Sequence, residues 1–172
     1  ISAVAAVHGL SAAFSDEVLS ECDKIPGTVS DAEISAELAK GRRDLRNLRI
    51  VTIDSAETKD VDDGVSVGIN EKGNYMLGVH IADVTHYVKE GSLLDKEARL
   101  RGTSVYLADR VIPMLPRKLS NGICSLNQGE DRFALTVMME INGEGTVISH
   151  EIFESIINVE YKITYDQLYE LL

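Results

Sequence analysis

Four aspartates lie within a stretch of ten residues: Asp54, Asp60, Asp62 and Asp63. Carboxylates this close repel one another, and a bound divalent cation removes that cost. Mg²⁺ prefers oxygen ligands and keeps waters that substrate phosphate oxygens can replace. A pair of such ions can activate a water and stabilise the departing oxygen in phosphoryl displacement. The cluster therefore indicates a metal site for phosphoryl chemistry.

Two other interpretations also fit the cluster. On composition alone, an exposed acidic turn between two strands explains it equally well. A calcium-binding loop is a weaker alternative, although Asp60, Asp62 and Glu71 fall at its first, third and twelfth positions. The sixth position of such a loop must be glycine, but here it is Val65, and the flanking segments read as strands instead of helices.

The elements that must position these aspartates are strands. An apolar, β-branched segment predicts a strand over 48–54 that ends at Asp54, and period-two alternation predicts hairpins over 65–82 and from 133 to 157 or beyond. Serine or threonine caps predict helices near 15–24, 31–40, 93–101 and 164–172. The expected fold class is α+β, a mostly antiparallel sheet with flanking helices.

Composition excludes several protein classes. With 172 residues and 44% apolar content, the chain can bury one core. Charges interrupt every apolar stretch before the ~20 residues that a membrane span requires, so no membrane partner is expected. Cys22 and Cys124 form no close pair, which argues against a disulfide framework and favours a reducing, cytoplasmic environment.

The charge of the chain is unevenly distributed around a net value of −11. Residues 40–49 hold five bases and one acid, residues 96–118 hold six bases and two acids, and residues 119–172 hold nine acids and two bases. A basic track for a nucleic acid beside an acidic site and ordinary solvated faces are both compatible with this pattern.

Seven motifs, two of which contain the four aspartates, resemble those of the ribonuclease II/ribonuclease R family and occur in the family's order. They are GRRDLR at 41–46, VTID at 51–54, DVDD at 60–63, VHIADV at 79–84, RGTSVY at 101–106, IPMLP at 112–116 and LSNGICSLN at 119–127. The chain is similar to the N-terminal half of the family's RNB catalytic domain, and the first motif favours the ribonuclease R branch. The resemblance implies a helical linker over 1–47 and an incomplete RNB domain over 48–172.

The resemblance also implies an activity: processive, Mg²⁺-dependent 3′→5′ hydrolysis of single-stranded RNA to nucleoside 5′-monophosphates. One or two Mg²⁺ ions, with Mn²⁺ as a substitute, would be held by Asp54, Asp60, Asp62 and Asp63. Asp60 and Asp62 would also serve catalysis by completing the site around the attacking water. The resemblance allows for RNA-decay protein partners but does not identify them.

Other residues acquire roles by the same resemblance. Tyr106 would stack on the terminal base, and Arg101, Arg110 and Arg117 would contact phosphates. His80 and Asp83 are interpreted as structural.

The chain departs from the family pattern at Val61, Gly64 and Gln128, but no carboxylate is lost. The family's catalytic arginine and the opposite stacking wall would lie beyond Leu172, so we expect the isolated chain to degrade little RNA. Missing neighbours should also leave apolar surface uncovered. A non-catalytic RNA-binding module of the same fold and a metal-stabilised structural domain are the alternative functions.

Overall fold

The computed structural model describes residues 11–171. Its four helices are α1 Asp16–Asp23, α2 Asp31–Ala39, α3 Leu93–Arg101 and α4 Tyr165–Leu171. Its strands are β1 Arg43–Asp44, β2 Ile50–Asp54, β3 Asp63–Ile69, β4 Tyr75–Ala82, β5 Val105–Tyr106, β6 Val111–Ile112, β7 Asp131–Ile141 and β8 Val147–Thr164. A single 3₁₀ turn spans Val84–His86, and a π-type turn spans Leu119–Ile123.

Each helix begins at a cap that the sequence predicts. Ser30 forms a capping box with Glu33 at the start of α2, and Thr164 makes the equivalent reciprocal hydrogen bonds with Gln167 before α4. Such caps satisfy backbone N–H groups that the first helical turn leaves free. Gly102 directly follows α3 with a φ of 73°, which favours glycine. All four predicted helices are confirmed, apart from Leu172, which lies outside the described residues.

The main sheet is largely antiparallel. Neighbouring strands pair as β2–β3–β4–β7–β8, and β8 also pairs in parallel with β1 and β2. The 18-residue β8 makes this possible, because its first part pairs with β7 and its last part with β2. The strands β2, β3, β4, β7 and β8 thereby form a closed circuit. The α+β class and both hairpins are confirmed; the parallel pairings of β8 were not anticipated.

The interior of this circuit contains polar side chains as well as apolar ones. Ser66, His80, Thr136 and Ser155 are buried and form a continuous hydrogen-bonded chain. The apolar part of the interior consists of Ile50, Val61, Ala82, Leu126, Ala134, Ile157 and Val159. Because buried hydroxyl and imidazole groups need partners, the polar chain fixes how these strands face one another.

A second core joins the helices to the irregular stretch after β6. Val18 and Cys22 of α1 pack against Leu94 of α3 and against Leu119. Cys22 and Cys124 belong to this core as free, buried thiols. Among residues 11–171, no helix combines the length and the apolar character that crossing a membrane would require.

Part of the segment interpreted as a linker, residues 1–47, contacts the sheet. Its last part forms β1, which pairs with Ser155 and Ile156 of β8, and the side chain of Arg42 is buried against the sheet. Residues 1–10 lie outside the described part of the chain.

The outer side of β3, β4, β7 and β8 is apolar and largely uncovered. The strand register places Val67, Ile81, Leu135 and Ile152 on this side, and their exposed fractions are 65%, 42%, 44% and 61%. The expected uncovered apolar surface is therefore present.

Candidate metal centre and RNA interface

The four aspartates lie at one end of the β2–β3 strand pair. Asp54 is the last residue of β2 and Asp63 the first of β3, while Asp60 and Asp62 belong to the connecting loop. The antiparallel register, with Val51 opposite Val65, brings the end of β2 next to the start of β3. Sequence proximity and strand pairing together therefore place all four carboxylates on one rim of the sheet.

One open cavity of about 410 Å³ collects these side chains. Its lining includes all four aspartates together with Ser55, Glu57, Thr58, Tyr106 and Val111. Within residues 11–171, no three His, Cys, Asp or Glu side chains already converge as a metal-binding group. The four carboxylates thus line one cavity but do not converge on a single position. Their side chains would have to rotate to ligate one ion.

The electrostatics of the cavity favour a cation. Loss of hydration raises the pKa of Asp62 above its usual range, and the charges of Asp60, Asp63 and Asp54 raise it further. The pKa of Asp54 is raised first by burial and then by Asp63, with Lys162 acting in the opposite direction. An all-oxygen donor set with mutual repulsion fits a hard divalent ion such as Mg²⁺.

The loop that carries Asp60 and Asp62 is tied to distant elements. Lys162 of β8 donates a hydrogen bond from Nζ to the carbonyl of Thr58 at 2.5 Å. The backbone N–H of Ala82 donates to the carbonyl of Asp62 at 2.9 Å. Sequence reasoning missed Lys162, because it lies 104 residues from Thr58 and no local pattern marks it.

Tyr106 lies at the junction of this cavity with a second one. Its hydroxyl donates a 2.5 Å hydrogen bond to Oδ2 of Asp60, and this bond raises the pKa of Tyr106 to about 12. The tyrosine remains 65% exposed, so its ring is accessible. The second cavity, of about 540 Å³, shares Asp60, Asp62 and Tyr106 and is otherwise lined mainly by apolar and small side chains.

The three arginines expected to contact RNA differ in their surroundings. The side chain of Arg101 is only 11% exposed, pairs with Glu97 and donates to the carbonyls of Ser11, Ala13 and Pro113. These internal contacts give Arg101 a structural task.

The other two arginines remain at the surface. Arg110 is exposed and pairs with Asp109. Arg117 is exposed and lines a cavity of about 210 Å³ together with Lys59, Asp60 and Asn121. Of the three, Arg117 therefore lies beside the aspartate loop with its charge directed to the surface.

The basic stretch at 40–49 does not form an open cationic track. Arg42 is buried and pairs with Glu37 and Asp83, while Arg43 pairs with Glu151. The remaining bases also have acidic neighbours: Lys40 with Glu37, Arg46 with Asp44 and Asp131, and Arg49 with Glu160. The excess of bases in this stretch is balanced by acids from other elements.

His80 and Asp83 have the structural surroundings expected of them. His80 is fully buried between the hydroxyls of Ser66 and Thr136, at 2.9 and 2.8 Å. Although burial opposes ionisation of Asp83, the hydrogen bond from Arg42 holds the pKa of that carboxyl below its usual value.

Comparison with known proteins decides the family. The model of the RNB domain matches residues 42–172. The chain belongs to the RNB domain family. It is 51% identical over 159 residues to Ribonuclease R of Thermotoga maritima, covering 92% of this chain and 22% of that protein. The chain thus spans about a fifth of that relative's length.

Two solved structures that resemble the chain differ in the activity that their names describe. One is Mycoplasma genitalium RNase R in complex with ribose methylated single-stranded RNA, with a TM-score of 0.89 and 31% sequence identity. The match covers 99% of this chain and 26% of the RNase R chain. Yeast Ssd1, a pseudonuclease, matches 80% of this chain and 17% of its own, with a TM-score of 0.72 and 27% identity. The RNB fold therefore occurs in a ribonuclease and in a pseudonuclease.

Proposed function

We propose that the chain contributes the metal-binding half of an RNB exoribonuclease, which hydrolyses single-stranded RNA processively from its 3′ end and releases nucleoside 5′-monophosphates. The observation that carries this proposal is the cavity shared by Asp54, Asp60, Asp62, Asp63 and Tyr106. It combines donors for a divalent ion with an exposed aromatic ring, the two features that a phosphodiester substrate with a terminal base requires.

The four aspartates would hold Mg²⁺, or Mn²⁺ in its place, as one or two ions. When bound, the metal would supply charge neutralisation at the phosphate and a more acidic water. Asp54 and Asp63 approach the cavity from the ends of paired strands and give the site fixed sides. Asp60 and Asp62 approach from the loop, where they would orient the attacking water as well as the ion.

The substrate would be held beside the aspartates by stacking and by charge. The exposed ring of Tyr106 would stack on the 3′-terminal base, an interaction worth ~1–3 kcal/mol per base and tolerant of sequence. The adjoining cavity of about 540 Å³ gives that base room next to Asp60 and Asp62. Arg101, Arg110 and Arg117 would contact backbone phosphates, although the guanidinium of Arg101 also donates to the carbonyls of Ser11 and Ala13.

A non-catalytic RNA-binding module is the second candidate function. It is favoured by the likeness to Ssd1, a pseudonuclease. The two candidates differ in the need for the carboxylates, because stacking and phosphate contacts alone do not require four aspartates around one cavity. The retained carboxylates therefore favour the catalytic proposal.

The catalytic proposal is tested with Asp62→Asn in the full-length protein that contains this chain. Shortening of 5′-labelled single-stranded RNA is followed in the presence of Mg²⁺. The substitution keeps size and removes one charge, so we expect 3′-end shortening to be lost while RNA binding changes little. Asp31→Asn, an exposed carboxylate in the first turn of α2, is the matched control and should degrade RNA normally. The 172-residue chain alone should degrade little RNA.

Each outcome of this experiment decides between the candidates. Normal shortening by Asp62→Asn excludes a catalytic role for that carboxylate. RNA binding without shortening in the unsubstituted full-length protein supports the non-catalytic module. Ladder-like shortening by the 172-residue chain that disappears in Asp62→Asn would show that this half is sufficient by itself.

A further inference from the structure

The backbone on both sides of Asp60 is held by one side chain from a distant segment. The hydroxyl of Ser125 donates to the carbonyl of Lys59 at 2.9 Å and accepts from the N–H of Val61 at 3.1 Å. Ser125 lies 64 residues after Val61 in the sequence. A single hydroxyl thus bridges the residues immediately before and after a predicted metal ligand.

The Val61 side of this bridge is protected from water. Ser125 and Leu126 have no exposed surface, and Val61 is 1% exposed. Next to the bridge, the N–H of Leu126 donates to the carbonyl of Val61 at 2.8 Å. Because water cannot replace the Ser125 hydroxyl at the buried N–H of Val61, loss of the hydroxyl would leave that backbone donor unsatisfied.

Ser125 is itself fixed by a buried arginine. The guanidinium of Arg132 donates from Nε to the carbonyl of Ser125 at 2.7 Å and from Nη2 to the carbonyl of Gly122 at 3.2 Å. The side chain of Arg132 is 2% exposed and pairs with Glu130. The segment that holds the aspartate loop is therefore rigidly attached to the start of β7.

We propose that Ser125 is a positioning residue for the metal centre: its hydroxyl sets the backbone path through Lys59–Val61 and thereby the separation of Asp60 from the other three aspartates. This inference rests on the proposed function, since it assumes that the cavity binds a divalent ion. Mutation of a residue that orients a ligand without touching the metal commonly lowers the metal affinity by roughly 10- to 100-fold.

The geometry separates this role from a general contribution to folding. Val61 remains anchored without the hydroxyl, through its buried side chain and through the N–H of Leu126. Ala82 independently holds Asp62 through its backbone N–H. Removing the hydroxyl therefore frees the backbone at Asp60 in particular, while the surrounding strands keep their pairing.

The test measures Mn²⁺ binding to the purified chain, from the EPR signal of free Mn²⁺, for the unsubstituted protein and for Ser125→Ala. We expect the dissociation constant to rise about tenfold or more in Ser125→Ala. The matched control is Ser155→Ala, a serine with equal burial whose hydroxyl bonds to Thr136 and Ala134, away from the aspartate cavity. It should bind Mn²⁺ with unchanged affinity.

A second variant and a second measurement keep the test decisive. Ser125→Cys is close in volume and offers only a weak donor, so it should fold without a void and still weaken Mn²⁺ binding. Amide hydrogen exchange should accelerate at Val61 in both Ser125 variants and stay unchanged there in Ser155→Ala.

The outcomes distinguish this inference from the function on which it rests. Failure of the unsubstituted chain to bind Mn²⁺ would overturn the metal site and the positioning role together. Tight binding by the unsubstituted chain with the same affinity in Ser125→Ala or Ser125→Cys would overturn the positioning role alone. An equal loss in Ser155→Ala would assign the effect to overall stability and would also overturn it.

Discussion

Among single residues, His80 shows most directly how the interior of the sheet uses polar groups. Its ring nitrogens both have hydroxyl partners, and a Cβ added at Gly78 would lie only 2.8 Å from Nε2. A glycine opposite Ser66 therefore makes room for the imidazole. Burial lowers the pKa of His80 to about 4, so the neutral ring is the form that the fold accommodates.

This burial predicts a loss of stability in acid. The pKa of His80 in the folded protein, about 4, lies below the ordinary value of 6.5 expected in the unfolded chain. The unfolded state therefore binds the proton first, and the free energy of unfolding falls as the pH drops from 6.5 toward 4. At ~1.4 kcal/mol per unit, the loss reaches about 3 kcal/mol near pH 4.

The acid prediction is checked by urea unfolding at several pH values, together with the NMR shifts of the His80 ring. The exposed His150 provides the control, since His150→Gln should leave the loss of stability unchanged. A ring signal of His80 that titrates near pH 6.5 in the folded protein would contradict the prediction.

At the scale of elements, Arg42 connects parts of the fold that are distant in sequence. From the segment between α2 and β1, Arg42 pairs with Glu37 of α2 and with Asp83 after β4. It also donates to the carbonyls of Ala134 in β7 and Ser155 in β8. Its guanidinium also lies 4.7 Å from the ring centre of Phe133. One buried cation thus fixes α2 against three strands of the sheet.

Arg42→Met should destabilise the fold strongly. Removing one partner of a buried ion pair leaves carboxylates without compensation and costs roughly 3–5 kcal/mol. The neighbouring Arg43 is the matched control, because its side chain is 52% exposed in the pair with Glu151. Arg43→Met should cost no more than about 1 kcal/mol. Urea unfolding followed by circular dichroism measures both, and equal costs for the two variants would refute the connecting role of Arg42.

At the scale of the whole molecule, the apolar outer side of β3, β4, β7 and β8 is unusual because it is exposed. Monomeric soluble proteins rarely expose large contiguous apolar patches. Val67 on β3 and Ile152 on β8 lie at opposite ends of this patch, and they are 65% and 61% exposed.

The exposed side should bind a hydrophobic dye while the chain is folded. We expect the native chain to increase the fluorescence of 8-anilinonaphthalene-1-sulfonate above that of the free dye. The double variant Val67→Thr and Ile152→Thr should give a smaller increase, and it keeps β-branched residues in both strands. Val18 of α1 is buried in the second core, so Val18→Thr should not lower the dye fluorescence and serves as the control. A native chain that leaves the dye fluorescence unchanged would contradict the exposure of this side.

Local features of the amino-acid sequence were enough to predict the helices, the hairpins and the candidate site residues. Helix caps and period-two alternation are local, so they located the helices and both hairpins, and the four aspartates are close enough in sequence to be recognised together. Family motifs identified the RNB domain, a prediction that the match over residues 42–172 confirms.

Which side of the strands is buried, and what holds the aspartate loop, depends on contacts between segments that are distant in the sequence. Alternation marks Val67 and Ile81 as an apolar side, yet closure of the strand circuit buries the opposite side with His80 and leaves those residues exposed. The contacts from Ser125 and Lys162 join residues 64 to 104 positions apart. Such contacts depend on how strands and loops meet in space, and a pattern read over a few neighbouring residues does not contain that information.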